Sequence, residues 1–244
     1  MAKFVAYPFS VIYYFFFSFL LLIFHPIQVF SLRFFGLNTQ KKSVDYLNIL
    51  IIRTLLMLGI RIRFKNPHRF PENRILIFVS NHQSTYDIPP LIWYLRAHFP
   101  KFIAKKELGK GIPSISFNLR HGGAFLIDRK RAKNAISSIE KFAQRVSKNK
   151  WSIVIFPEGT RTRNGQVKPF QRVGLRTILN EIPNALLVPI SVNNSWKLAR
   201  WSYFPMPLGI RLDFCIHKPI DPIDQEIEKT IDQIEEAIKS GVKI

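Results

Sequence analysis

The chain has 244 residues, of which 47% are hydrophobic and 21% charged, so it is long enough to bury one sizeable core. Its single cysteine, Cys215, excludes an internal disulfide and a zinc site built from cysteines. The net charge is +20. Residues from Pro219 onward hold seven acids and three bases and so carry −4, which leaves +24 on residues 1–218. This charge indicates anionic partners, namely nucleic acid, phosphorylated substrates or an anionic membrane.

The N-terminal part of the chain predicts attachment to a membrane. Residues 4–24 carry no charge, and a stretch of this length can span a bilayer. A second apolar stretch, residues 46–60, is short for a span and has an arginine at its centre. Two membrane arrangements stay open, one transmembrane helix with Arg33, Lys41 and Lys42 on the cytoplasmic side, or a two-helix hairpin embedded in one leaflet. A buried helix pair in a soluble core is the third alternative.

After residue 60 the pattern changes to short apolar runs that alternate with helical periods. The runs that predict β-strands are residues 75–79, 102–104, 124–127, 153–156, 186–192 and 211–216. Apolar residues at helical spacing predict helices over residues 131–148, 173–179 and 227–241. Strands that alternate with helices predict an α/β domain with a mostly parallel sheet flanked by helices.

A histidine and an aspartate follow the first of these strands. His82 stands just beyond the apolar run, and Asp87 is five residues further on, a spacing that favours a turn over a single helical face. Imidazole titrates near neutral pH, so it can take a proton from a hydroxyl and return it. A carboxylate can fix its tautomer and stabilise the imidazolium. His82 and Asp87 are therefore a candidate general base and its orienting partner.

Two further strands also end in charged clusters. Asp128 and Arg129 follow the run at residues 124–127, and the segment from Pro157 to Arg163 follows the run at 153–156. Gly159 allows a tight turn there, Arg161 and Arg163 offer guanidinium groups suited to phosphate, and Glu158 is expected to hold one of them in place. Ligands of α/β sheets collect at the carboxyl ends of strands, so we expect these clusters to form one site.

Four blocks of this sequence resemble, in order and spacing, the motif blocks of the glycerolipid acyltransferases. They are Asn81-His82-x4-Asp87, Gly123-x-Phe125-x-Ile127-Asp128-Arg129, Phe156-Pro157-Glu158-Gly159-Thr160-Arg161 and Val188-Pro189-Ile190. The resemblance covers roughly residues 60–220 and is nearest to the lysophosphatidate (1-acylglycerol-3-phosphate) acyltransferases. It implies an N-terminal membrane anchor over residues 1–60 and a catalytic domain over residues 61–244.

The resemblance also implies roles for individual residues. It makes His82 the general base and Asp87 its partner. It places Pro189 near the acyl or acceptor pocket, and Lys105 matches a basic position often seen before the second block. Residues implied to bind the acceptor phosphate are Arg129, Glu158, Gly159, Thr160 and Arg161. One departure stands out, because the Phe-Lys-x-Gly run often found after the third block is replaced here by Phe170-Gln171-Arg172-Val173-Gly174.

The implied reaction is transfer of a fatty acyl group from a thioester to the sn-2 hydroxyl of 1-acylglycerol-3-phosphate, which gives phosphatidic acid in phospholipid biosynthesis. The implied partners are anionic membrane lipids, a lysophospholipid acceptor and acyl-CoA or acyl carrier protein, with no nucleic acid. No cofactor beyond the acyl donor and no metal is expected, since the six histidines are scattered and lack His-x3-His spacing. The expected location is the bacterial cytoplasmic membrane or its equivalent, with the catalytic domain on the cytoplasmic side.

Two other functions stay open at this point. One is an acyltransferase of the same fold that uses another lysophospholipid or an acyl-amino-acid lipid. The other is a membrane-tethered basic binding protein without catalysis. The sequence contains no Gly-x-Ser-x-Gly elbow, so a serine nucleophile is not expected.

Overall fold

A computed structural model describes residues 2–128 and 135–243. Its sheet has seven strands, which in chain order are β1 (Arg61–Lys65), β2 (Leu76–Ser80), β3 (Pro100–Lys105), β4 (Phe125–Ile127), β5 (Ser152–Ile155), β6 (Leu186–Asn193) and β7 (Arg211–Ile216). The helices are α1 (Ala2–Thr54), α2 (Ile88–Tyr94), α3 (Ile115–His121), α4 (Ala135–Asn149), α5 (Arg172–Glu181) and α6 (Ile227–Gly241).

The sheet is mixed and mostly parallel, which confirms the predicted fold class. The strand order is β1-β7-β6-β2-β5-β3-β4, and among the pairs formed by these seven described strands only β6–β7 is antiparallel. Every residue of the central strands β2, β5 and β6 is buried. Both faces of these strands are covered, which is why they appear in the sequence as continuous apolar runs.

Helices cover the two faces of the sheet, and β2 shows how its residues divide between them. Leu76 and Phe78 point into a core shared with α1 and α2, whereas Ile77 and Val79 point into a second core shared with α4, α5 and α6. This division follows from the alternation of side chains along a strand. The three helices of the second core present stripes of isoleucine, leucine, phenylalanine and valine to the sheet.

Helix α1 is broken at Gly36, whose φ of 79° and ψ of −174° lie outside the helical region. Leu21, before the break, shares a buried cluster with Leu47 and Ile51, which come after it, so the two segments fold against each other. The helical stretch Lys3–Leu58 is long and apolar enough to cross a membrane by length and composition. Tyr13 on α1 lies in the main core of the sheet. The division of the chain at residue 60 stays a prediction.

Candidate functional site

The candidate site is built where two neighbouring parallel strands end. The segment that contains His82 follows β2, and the segment from Glu158 to Arg161 follows β5, which pairs with β2. Because the strands run parallel, both segments leave the sheet at the same edge. The backbone N–H of Thr162 donates to the His82 carbonyl at 2.9 Å and joins the two segments. The expected convergence of the first and third blocks is therefore present.

His82 and Asp87 form the pair expected from the sequence. The Nδ1 atom of His82 lies 2.8 Å from Oδ2 of Asp87. Ser84 caps the short helical turn between them, and that turn brings residues five apart into contact. The imidazole packs on the ring of Phe156, with centroids 4.1 Å apart. Since Nδ1 is engaged by the carboxylate, Nε2 is the nitrogen left to act on a substrate.

Asp87 is held from several directions. Its carboxylate is fully buried, and Oδ2 also accepts the backbone N–H groups of Gln83 at 2.7 Å and Ser84 at 2.9 Å. The hydroxyl of Ser195, which is itself fully buried, donates to Oδ1 of Asp87. These donors satisfy the carboxylate without water, so it stays an acceptor that orients the imidazole.

Ser195 was missed by the sequence analysis. It lies 108 residues from Asp87 and enters the site from the short helix Ser195–Ala199 that follows β6. Gln83 fixes the same segment, because its Oε1 accepts the backbone N–H of Ser195 at 3.0 Å. A lone serine after a strand carries no local signal of this role, since only the pairing of β2 with β6 brings the two segments together.

Glu158 binds backbone N–H groups in place of the expected ion pair with Arg161 or Arg163. Oε1 accepts the backbone N–H of His82 at 2.7 Å, and Oε2 accepts that of Lys168 at 2.9 Å. Its carboxylate therefore ties the His82 turn to the β5–α5 loop and does not hold Arg161 or Arg163. Burial raises the pKa of the Glu158 carboxyl, and the two backbone donors act in the opposite direction.

The arginine expected to bind phosphate is open to solvent beside this pair. Arg161 is exposed, and its Nη1 donates to the hydroxyl of Tyr203 at 3.2 Å. Gly159 has a φ of 67°, which a glycine adopts without strain, and its N–H closes the turn on the Phe156 carbonyl at 3.0 Å. Thr160 is exposed between them. The turn thus presents Arg161 on the surface near His82.

The remaining residues that the sequence assigned to the site lie on strands β3 and β6, at the end of β4 or outside the described residues. Lys105 is exposed at the end of β3, and the neighbouring Lys106 lies 3.7 Å from Asp128 at the end of β4. Pro189 is buried inside β6 opposite Val79, so it belongs to the sheet below the site and does not line its surface. Arg129 lies outside the described residues.

The described part of the chain contains no group of three or more His, Cys, Asp or Glu side chains that could hold a metal ion. What the site does present is an oriented imidazole, a buried carboxylate and an exposed guanidinium. This set can move a proton at a hydroxyl and bind an anionic group next to it.

Comparison with known proteins gives a family for this arrangement. Residues 61–193 match the family model described as acyltransferase, and this range contains both strand ends of the site. The chain is 31% identical over 137 residues to the human 1-acyl-sn-glycerol-3-phosphate acyltransferase alpha, with 56% of this chain and 47% of the relative covered. It is 30% identical over 197 residues to the 1-acyl-sn-glycerol-3-phosphate acyltransferase of Saccharomyces cerevisiae, covering 75% and 62%.

A bacterial relative and a solved structure extend the comparison. The 1-acyl-sn-glycerol-3-phosphate acyltransferase of Helicobacter pylori is 37% identical over 131 residues, which cover 50% of this chain and 52% of the relative. The match spans about half the length of the human and Helicobacter relatives. The crystal structure of the 1-acyl-sn-glycerophosphate acyltransferase PlsC from Thermotoga maritima superposes with a TM-score of 0.81 at 23% identity, covering 99% of this chain and 96% of that one. That likeness shows a shared fold.

Proposed function

Because the chain belongs to the acyltransferase family, we propose that it transfers a fatty acyl group from a thioester to the sn-2 hydroxyl of 1-acylglycerol-3-phosphate. The product is phosphatidic acid, a step of phospholipid biosynthesis. The observation that carries the proposal is the 2.8 Å contact between His82 Nδ1 and a fully buried Asp87. This contact leaves Nε2 of His82 free to serve as the base, at the end of the sheet where Arg161 is exposed to bind a phosphate.

The chemistry needs only one proton carrier. Nε2 of His82 takes the proton of the acceptor hydroxyl as the oxygen attacks the thioester carbonyl. A tetrahedral intermediate forms and collapses with cleavage of the carbon–sulfur bond, and the imidazolium returns its proton to the departing thiolate. Asp87 holds the ring tautomer and stabilises the imidazolium between these steps. The products are the ester and the free thiol, and the enzyme ends the cycle in its starting protonation state.

The acceptor's phosphate has a cationic partner in Arg161. A guanidinium offers paired N–H donors that match phosphate oxygens. The Thr162–His82 hydrogen bond ties the loop of Arg161 to the base, so phosphate binding places the rest of the acceptor near His82. The acyl donor of the proposal is acyl-CoA or acyl carrier protein, without a further cofactor.

A membrane location fits this substrate. Within the Lys3–Leu58 stretch, only 17% of the most apolar 18-residue segment is buried inside the protein, so most of this segment faces outward. Exposed side chains there include Phe4, Phe15 and Phe19. The fold at Gly36 favours the two-helix hairpin for this anchor. We place the catalytic domain on the cytoplasmic side, where basic residues and anionic lipids accumulate.

Thiol release by the full-length chain in lipid vesicles tests the function. Acyl-CoA and acyl-acyl-carrier protein are each offered with lysophosphatidate, another lysophospholipid, an acyl-amino-acid lipid or monoacylglycerol. We expect thiol release to depend on lysophosphatidate, with phosphatidic acid detected by mass spectrometry. Preference for another acceptor would assign the chain to a different reaction of the same family. Acceptor binding with no thiol release from either donor would instead favour a binding protein.

A further inference from the structure

Tyr203 meets the candidate head-group residue from a separate part of the chain. Its hydroxyl oxygen accepts from Nη1 of Arg161 at 3.2 Å and lies 3.4 Å from the backbone N of Thr85. Thr85 belongs to the turn that pairs His82 with Asp87. One phenol oxygen therefore stands between the guanidinium and the catalytic turn.

The main chain at Tyr203 is held in an unusual conformation. Ser202 and Tyr203 have φ values of 54° and 68°, in the left-handed region that residues with side chains rarely occupy. Such conformations persist when the surrounding structure imposes them, and they gather at functional sites. Here the surroundings are specific, because the hydroxyl of Tyr14 on α1 donates to the Tyr203 carbonyl at 2.6 Å.

The rest of the loop is fixed to α1 as well. The ring of Phe204 lies 5.5 Å from that of Tyr7 and 6.1 Å from that of Tyr14, centroid to centroid. The backbone N–H of Met206 donates to the hydroxyl of Ser10 at 2.8 Å. The backbone of Tyr203 is thus held by several contacts of its loop with α1, whereas Arg161 is a long exposed side chain that loses rotamer freedom when it is ordered.

We propose that Tyr203 is a positioning residue that orients the Arg161 guanidinium and so sets the selectivity of this site for a phosphate-bearing acceptor. The inference rests on the proposed function. An arginine held before substrate arrives loses less entropy on binding than a free one. Since the same hydroxyl also contacts Thr85 in the turn that follows His82, Tyr203 fixes the position of the Arg161 guanidinium relative to the His82 imidazole. The acceptor hydroxyl then reaches Nε2 when the phosphate is bound.

Removal of the single hydroxyl tests this role. In Tyr203→Phe we expect KM for lysophosphatidate to rise about threefold to tenfold, the change that loss of the hydrogen bond to Arg161 produces. The exposed backbone N–H of Thr85, 3.4 Å from the same hydroxyl, can bond water in its place, so kcat is expected to stay nearly unchanged. With monoacylglycerol, which lacks the phosphate, the same substitution is expected to leave KM unchanged. Tyr94→Phe is the matched control, because Tyr94 is a partly exposed tyrosine that stacks on Phe64 away from Arg161.

A double-mutant cycle shows whether Tyr203 acts through Arg161. When Arg161→Ala is already present, Tyr203→Phe is expected to change KM by less than about twofold, because the guanidinium that it orients is gone. In the double mutant, an effect of Tyr203→Phe as large as in the wild-type chain would overturn the inference. In the single mutant, an equal rise in KM with monoacylglycerol or an unchanged KM with lysophosphatidate would also overturn it, and the proposed function would still stand. A wild-type chain that does not acylate lysophosphatidate would overturn the proposed function and the inference together.

Discussion

His82 is oriented before any substrate is present, because a buried carboxylate holds one ring nitrogen and the Phe156 ring supports the imidazole face. We expect His82→Ala to lower kcat by about 10²- to 10⁴-fold, the usual effect of losing a general base. Asp87→Asn is expected to lower kcat as well, since an amide does not hold the same tautomer. Steady-state thiol release measures both, and near-normal turnover in pure His82→Ala protein would contradict the mechanism.

Ser195 stabilises the His82–Asp87 pair, because its hydroxyl donates to Oδ1 of Asp87, the oxygen that does not contact the imidazole. We expect Ser195→Ala to lower kcat by roughly tenfold, because a hydrogen bond to a charged group contributes about 1.5–3 kcal/mol and part of it acts in the transition state. Ser191→Ala is the control, since Ser191 is also fully buried but contacts His217 and the end of α6. Equal loss of kcat in both variants, at matched melting temperatures, would contradict a specific role of Ser195.

Substitutions of Arg161 test whether this residue recognises the phosphate head group of the acceptor. We expect Arg161→Lys to raise KM for lysophosphatidate nearly as much as Arg161→Ala, because an ammonium does not replace a planar fork of donors. The reason for a change in KM rather than kcat is that the phosphate is bound in both ground and transition states. Kinetics with lysophosphatidate and monoacylglycerol check this, and an equal loss with the phosphate-free acceptor would refute the assignment.

At the scale of elements, β3 carries a buried lysine at the end of the sheet away from the site. Lys101 is 5% exposed and donates to the Gly122 carbonyl at 2.6 Å, and its Nζ lies 4.4 Å from the ring centroids of both Phe99 and Trp151. Burial lowers the pKa of Lys101 from 10.5 to about 7, and Lys41 and Arg145 add to the effect, while Asp45 opposes it. The ring faces also favour the charged form.

This lysine gives a signed pH prediction. With a folded pKa near 7 and an unfolded pKa near 10.5, the unfolded chain binds more protons between these values, so the lysine's contribution to stability rises with pH across that window. Relative to Lys101→Met, the wild-type protein is expected to gain a few kcal/mol between about pH 7 and pH 10.5, at about 1.4 kcal/mol per pKa unit. Melting temperatures of both proteins in detergent measure it. A difference that stays constant with pH would contradict the burial argument.

The elements also show which local patterns predict structure. All six predicted strands are present, and the helix predicted over residues 227–241 is present as α6. Residues 131–134 of another predicted helix lie outside the described residues, and α4 covers the rest. The strand β1 is not among the predicted strands, because the predictions rest on short apolar runs, whereas Arg61, Arg63 and Lys65 alternate with apolar residues in the two-residue period of a half-exposed edge strand. The seven-residue helices α2 and α3 are too short to show a period.

For the whole molecule, we expect the anchor to depend on apolar contact and not on charge. The aromatic side chain of Phe15 is 66% exposed on α1. Phe15→Lys is therefore expected to lower the fraction bound to vesicles, with a cost of up to about 2.5–3.5 kcal/mol, the value for a lysine at the centre of a bilayer. Ser240→Lys adds the same charge at an exposed position of α6 and is expected to leave binding unchanged or stronger.

Vesicle flotation with and without high salt measures this partition. Salt screens exposed charges beyond a Debye length of about 8 Å at physiological ionic strength, so it is expected to release little of the wild-type chain. Release of the full-length protein by salt alone would show that charge holds it on the membrane. It would then place the N-terminal helices with the soluble core.

The sequence by itself determined the fold class, the apolar N-terminal segment and the acyltransferase resemblance, because these depend on local periodicity and on motifs whose residues lie close together in the chain. His82 and Asp87 belong to this group, since a five-residue turn pairs them. Tertiary structure decided what local patterns cannot encode. The strand order brings Ser195 to Asp87 and Glu158 to the backbone of His82, and the loop fixed on α1 brings Tyr203 to Arg161. These contacts join residues 42 to 108 positions apart, and only packing of the sheet and helices sets such distances.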